Sequence, residues 1–166
     1  MSERWKPSVT VAAIVSRTTP SGASEYLLVE EETPAGLRLN NPAGHLELGE
    51  SPLEAVVREA LEETARAFVP QRLLGLYLTR TRHNGDEGDS TYVRFAYLGT
   101  VGERDPKRAL DRGIVRTLWL GLDELRRSPE RQRSPLVLRC IEDAAAGRGL
   151  PLDSVVVDPS IFDPGP

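Results

Sequence analysis

Three carboxylates, Glu59, Glu62 and Glu63, stand at positions i, i+3 and i+4 of one segment with a helical pattern. Side chains at that spacing meet within a single turn, where like charges repel. The chain either points them into water or uses them to hold a hard cation. Carboxylate oxygens suit Mg²⁺ or Mn²⁺, and Mg²⁺ is commonly bound by a few carboxylates together with substrate phosphates. By itself the trio is a weak signal, since acidic helix faces in water are common. Its surroundings carry more: Gly44 and Glu50 lie upstream, and Arg58 immediately precedes Glu59.

A loop and a helix must hold these residues. Ser51-Pro52 supplies a preferred N-cap and then a residue whose φ suits the first helical position. Glu54 completes a capping box. The pattern predicts a helix to about Phe68, before Val69-Pro70. At about 100° per residue, Leu53, Val56, Val57, Ala60, Leu61, Thr64 and Phe68 share one side, and Glu59, Glu62 and Glu63 the opposite one. Most of the remaining chain reads as strands: Val9 to Ser16, Tyr26 to Glu30, Leu37 to Asn41, Leu73 to Thr81, Thr91 to Thr100 and Ile114 to Leu120. Thr18 to Ser24 and Thr33 to Gly36 read as turns, and Arg82 to Ser90 as a polar loop. A short helix is expected over Leu122 to Arg127, and a longer one from Ser134-Pro135 to about Ala146, stopped by Gly147. The fold class is therefore α/β in the α+β sense, a mixed sheet with helices on its faces. One domain over residues 1–150 is expected, then a proline-rich tail, 151–166, along the surface.

The 166 residues are 39% hydrophobic and 28% charged, an ordinary globular composition for a single domain. No apolar run approaches the ~20 residues of a membrane helix, and the first eight residues hold no signal-peptide stretch. One cysteine, Cys140, excludes an internal disulfide and a multi-cysteine zinc site. It fits a reducing, cytoplasmic setting. A net charge of -4 argues against a nucleic-acid polymer as partner. A small polyanionic substrate stays open if positive charge is recruited locally, for which a metal ion is the natural candidate.

From Gly44 the chain reads glycine, five residues, Glu50, seven residues, Arg58-Glu59, two residues, Glu62-Glu63. This resembles the signature of the Nudix hydrolase superfamily. Six specified positions agree in register, and with each residue type near ~5–8% of residues the chance agreement is on the order of 10⁻⁷ per starting point. The end of the signature departs: Ala60 stands for a larger aliphatic, Ala65 for a glycine and Arg66 for an aliphatic. Glycine there would end the helix in a left-handed conformation, so with Ala65 the helix is expected to run on toward Phe68 or to end with strain. Beyond the signature, Trp5-Lys6-Pro7, Val9 to Ala12, Leu28 to Glu31, Asn41 to Glu47 and Arg133 to Leu136 are similar to the NudJ-type Nudix phosphatases.

The resemblance implies a Nudix fold, an α/β/α sandwich. It implies metal ligation by Glu59, Glu62 and Glu63, joined by the Ala43 carbonyl, with Arg58 and Glu50 pairing to orient the loop. It further implies water attack at phosphorus in a pyrophosphate linkage, with Mg²⁺ or Mn²⁺ clamping the phosphates. Glu59 and Asp111 are both candidates for the base, and Glu63 is counted with Glu59 among the catalytic residues. The implied substrates are nucleoside di- and triphosphates and thiamine-pathway pyrophosphates. Open alternatives are a pyrophosphatase for ADP-ribose or an oxidised nucleotide, and a non-catalytic nucleotide-binding module. The protein is expected to be a monomer or homodimer.

Arg94, His45 and Tyr92 are the candidate substrate contacts. Arg94 can meet a phosphate or sit in a surface ion pair. Tyr92, Phe95 and Tyr97 can stack on a ring or fill the core. His45 can touch substrate or be structural. Glu47 faces either the metal site or solvent. Trp5 and Trp119 are expected in the core, Cys140 as a buried inert thiol, His83 in solvent, and the arginines at 126–127 and 131–133 on a solvated face.

Overall fold

Strand β1 (Ser8–Thr18) is β-branched and apolar enough to be buried on both faces, and the rest of the fold is laid around it. In the computed structural model, which describes residues 5–81 and 89–163, β1 pairs in parallel with β6 (Ser90–Val101) along eight residues. It pairs antiparallel with β4 (Ala43–His45) and, at its far end, with β2 (Ser24–Thr33). The main path is β3-β2-β1-β6-β5, with β3 (Gly36–Asn40) at one end and β5 (Phe68–Thr81) at the other. β7 (Ile114–Gly121) adds to β2.

Period-two alternation along β1 and β6 sends residues to two separate cores. Val11, Ala13, Val15 and Tyr97 pack with Ala55, Val56 and Ala60 of helix α1 (Pro52–Thr64). Ala12, Ile14 and Ala96 pack on the other face with Val137, Cys140 and Ile141 of α3 (Pro135–Ala145). Leu125 of α2 (Leu122–Arg127) joins that second core. The result is the expected mixed sheet with helices on both faces.

Several expectations need correcting. Helix α1 stops at Thr64 and does not reach Phe68, which begins β5. Ala65 takes the left-handed conformation at φ 54°, the non-glycine residue found with positive φ among those described. The loop after β6 forces this end, because Asp111 N donates to Glu62 O and Asp105 N to Ala65 O, satisfying carbonyls the helix leaves open. The buried side of α1 is Ala55, Val56, Glu59, Ala60, Glu63 and Thr64. Glu59 and Glu63 therefore lie on the buried side, and Leu53, Val57 and Leu61 are only half-buried. Trp5 is 68% exposed and is no core residue. Trp119 is half-buried, with the Arg17 guanidinium 4.4 Å over its ring. Tyr97 is core, and Phe95 packs beside it. Cys140 is buried, and burial pushes its thiol up to about 11. His83 and most of the predicted polar loop lie outside the described residues. Among the described residues no helix is long and apolar enough to cross a membrane.

Candidate active site

The capping box at Ser51 and Glu54 forms as expected, with Glu54 N donating to Ser51 Oγ and Ser51 N to Glu54 Oε2. It fixes where α1 begins and so the direction in which its glutamates project. Arg58, on the second turn, is the hub. Its Nε and Nη2 grip both oxygens of Glu50 at 3.0 and 2.7 Å. Nη1 reaches Glu59 at 2.8 Å and Glu62 at 3.1 Å. Nη2 also donates to the His45 carbonyl at 3.0 Å. One planar guanidinium thus fixes the loop 45–50 against the helix, a task suited to its rigid fork of donors. Hydrogen bonding from Arg58 holds the Glu50 carboxyl below its ordinary range, and Arg58 is pushed up in return. Glu47 is exposed, with its carboxylate 4.0 Å from Arg58.

Behind this frame lie the buried carboxyls. Burial pushes Glu63 up to about 8, against the Ala43 N–H that donates to it at 2.9 Å. Burial also raises Glu59, against the pull of Arg58. The charge of Asp111 bears on both, and that of Glu31 on Glu63. A Cβ at Gly44 would overlap the Glu59 carboxylate, so any side chain there must displace it.

Among the described residues, no three metal-ligating side chains are already gathered into a cation cage. Arg58 occupies Glu59 and Glu62, and the Ala43 amide occupies Glu63. The donor chemistry nevertheless fits a divalent cation. Glu59 and Glu62 meet at one Arg58 nitrogen, Glu63 stands on the same helix, and two of these carboxyls are held above their ordinary range by burial that one bound cation would offset.

A cavity of about 300 Å³ opens beside this cluster, its wall including Ala43 and Gly44. His45, Tyr92 and Arg94, the three candidate substrate contacts, are all on its wall, with the His45 and Tyr92 rings 6.2 Å apart. Arg94 is only 9% exposed, so it is not a surface arginine. Its Nε and Nη1 have no hydrogen-bond partner among the described residues. Thr10, Glu31 and Asn40 also line it and were not singled out from sequence as site residues. The polar Asn40-Asn41 pair that follows Leu37-Arg38-Leu39 was the available signal. The basic segment at 131–133 is more than a solvated face: Arg131 pairs with Glu30 at 3.6 Å, and Arg133 pairs with Glu31 at 3.4 Å and lines the cavity.

A family-wide profile described as the NUDIX domain matches residues 6–139. Phosphatase NudJ of Escherichia coli (strain K12) is 31% identical over 152 residues, 91% of this chain and 92% of that protein. Among solved structures, a NUDIX hydrolase from Nitrosomonas europaea superposes with a TM-score of 0.81 at 45% identity, covering 92% of this chain and 98% of that one. The NUDIX domain of Shewanella oneidensis NrtR, complexed with ADP ribose, shares the fold with a TM-score of 0.63 at 20% identity, covering 87% of this chain and 90% of that one.

Proposed function

The chain belongs to the Nudix hydrolase family and is a hydrolase of phosphoric anhydride bonds; we propose that it is a divalent-metal-dependent phosphatase of the NudJ kind. Its substrates are nucleoside di- and triphosphates and thiamine-pathway pyrophosphates, and its setting is the cytoplasm. The observation that carries this reading is the pair of buried carboxyls, Glu59 held by Arg58 and Glu63 by the N–H of Ala43, which itself lines the cavity. Burying carboxyls is costly even with one hydrogen-bond partner each, and a cation shared with substrate phosphates would offset that cost.

Glu59, Glu62, Glu63 and the Ala43 carbonyl would hold Mg²⁺, or Mn²⁺ in its place. The bound cation supplies charge neutralisation for the phosphates and acidifies its water. The chain's own residues do the rest. Arg58 and Glu50 fix the loop that carries Ala43 and Gly44, so the phosphate chain meets an ordered wall. Glu59 or Asp111 accepts the proton of the attacking water. Asp111 suits that role because its carboxylate is exposed while its main chain is tied to Glu62. His45, Tyr92 and Arg94 contact the part of the substrate beyond the phosphates.

The test is phosphate release from a panel of nucleoside di- and triphosphates, hydroxymethylpyrimidine pyrophosphate, thiamine pyrophosphate and ADP-ribose. It is run with Mg²⁺ and with chelator. Metal-dependent phosphate release from the first three groups is expected. Cleavage of ADP-ribose alone would replace the substrate class. Tight nucleotide binding without any turnover would make the protein a binding module.

A further inference from the structure

The cavity beside the carboxylate cluster differs in charge from the rest of the molecule. The chain carries a net charge of -4, and the cluster at Glu59, Glu62 and Glu63 is acidic. Among the described residues, the cavity wall holds two arginines, Arg94 and Arg133, against one glutamate, Glu31. A cleft with a surplus of positive charge attracts anions. Ala43 belongs both to this wall and to the cluster, since its N–H donates to Glu63. An anion in the cavity therefore lies next to the carboxylates that would hold the cation.

The two arginines are not equivalent. Arg94 is nine-tenths buried, and its unpartnered Nε and Nη1 are shut off from the surface, so they act through charge. The Arg133 side chain is 48% exposed. Its main chain is fixed, with N donating to Leu39 O at 2.8 Å and the preceding Gln132 bridged to the same residue of β3. The following residue, Ser134, also lines the cavity, and its hydroxyl makes no cap bond to α3. Strand and helix thus hold the root of Arg133 at the wall while its guanidinium is free to turn. Among the described residues its ion-pair partner is Glu31, with Nη1 at 3.4 Å from Oε1. That contact is not a hydrogen bond, because Glu31 Oε1 has none among the described residues. A half-exposed pair of this kind is worth little. It leaves most of the five N–H donors of the guanidinium unused. A phosphate offers that fork more charge and two oxygens at once.

We propose that Arg133 binds a phosphate group of the substrate, and that Glu31 competes with that phosphate for it. Arg133 is given this role on the phosphatase reading, from which the identity of the anion comes. Glu31 keeps the guanidinium against the wall and subtracts from the affinity for anions. A phosphate chain held also at the Glu59–Glu63 cluster displaces it, exchanging a loose ion pair for a two-pronged contact. Arg133 is then a substrate-binding residue that acts on affinity and moves no proton in the hydrolytic step.

Titration calorimetry with α,β-methylene-ADP and Mg²⁺ tests this apart from turnover. Arg133→Gln is expected to weaken binding about tenfold, the scale of one hydrogen bond to a charged group. Arg133→Lys keeps the charge without the fork and should recover part of that loss. Glu31→Gln should tighten binding about threefold, the scale of the half-exposed pair that it releases. That gain should shrink in an Arg133→Gln background, where no arginine remains to be released. If Arg133 merely braced Glu31, the two single substitutions would break the same pair and shift binding in the same direction. Should Arg133→Gln fail to fold, Arg133→Lys and the sign of the Glu31→Gln shift decide. Opposite shifts in a protein that hydrolyses none of the diphosphates would uphold Arg133 as a phosphate contact and reject the phosphatase. Binding indifferent to Arg133→Gln, shifts of the same sign in both variants, or no binding of the analogue by wild type would overturn the proposal, whether or not the diphosphates are hydrolysed.

Discussion

At the residue scale the site is governed by how one cation is shared among carboxylates. Arg58 serves Glu50, Glu59 and Glu62 at once, and its two-pronged hold on Glu50 is the strongest part of that arrangement. Arg58→Lys keeps the charge but cannot bond Glu50 through two donors and still reach Glu59 and the His45 carbonyl. We expect kcat/KM to fall about 10- to 100-fold, as for other residues that position a site, with the fold intact by circular dichroism. An unchanged kcat/KM would show that the loop 45–50 needs no such frame. Gly44→Ala is the sterically sharper change, since its methyl meets the Glu59 carboxylate. Loss of most activity with only modest loss of stability is expected; full activity would mean that Glu59 moves aside freely. The sequence disclosed these residues because a fixed spacing of glycine, glutamates and arginine is rare by chance. It did not disclose Thr10 or Glu31. Their role depends on which strands become neighbours, and neither carries a local pattern of its own.

At the element scale, the end of α1 and the β2–β7 pairing carry separate expectations. The helix stops at Thr64 because Asp105 and Asp111 cap its last carbonyls, and Ala65 takes the left-handed conformation in consequence. A non-glycine residue there costs about 1–2 kcal/mol. Ala65→Gly relieves that cost but gives up a buried methyl worth about 0.8 kcal/mol and loosens the unfolded chain by about 0.4–1 kcal/mol. The sum is near zero, so a change within about 1 kcal/mol is expected in urea denaturation. Ala65→Val adds a β-branched side chain at positive φ in a buried place and should cost about 1–3 kcal/mol. If Ala65→Val is neutral, the described end of α1 is wrong. From sequence this end was ambiguous, since only the distant loop at 102–113 decides between continuing and turning.

On the neighbouring strands, Glu30 and Arg116 face each other across β2 and β7, and Arg116 donates to Glu30 at 2.6 Å. That hydrogen bond holds the Glu30 carboxyl below its ordinary range, with Arg131 adding to it. A carboxyl depressed in the folded state stabilises above its unfolded pKa, and the contribution is lost as pH falls through the folded value. Glu30→Gln should therefore lower the urea midpoint at pH ~7 and differ less from wild type as pH falls below ~4. A gap of constant size across that range would assign the effect to packing alone.

At the scale of the whole molecule, the α/β/α arrangement places the site. Helix α1 and helix α3 lie on opposite faces of one sheet, so the carboxylates come from one side and the Arg94 face of the cavity from the other. Strand β4 and Gly44 join the two. The alternation of β-branched residues made the mixed sheet and its helices readable from sequence. Burial of Glu59 and Glu63 was not readable, because a helical wheel puts acids outside unless the partner surface is known. Trp5 misled for the opposite reason: a large apolar side chain near an end of the chain need not find a core. A cation that binds only the folded protein must raise its melting temperature, so Mg²⁺ is expected to stabilise wild type and to stabilise Glu63→Gln less.

The measurement that bears most directly on the central claim is inorganic phosphate release from a nucleoside diphosphate, with Mg²⁺ and with chelator, for wild type beside Glu63→Gln. Metal-dependent release that falls by about 100-fold or more in the variant is the predicted result. Release that persists in chelator, or that survives Glu63→Gln unchanged, would contradict the assignment of the buried carboxyls as the centre of the chemistry.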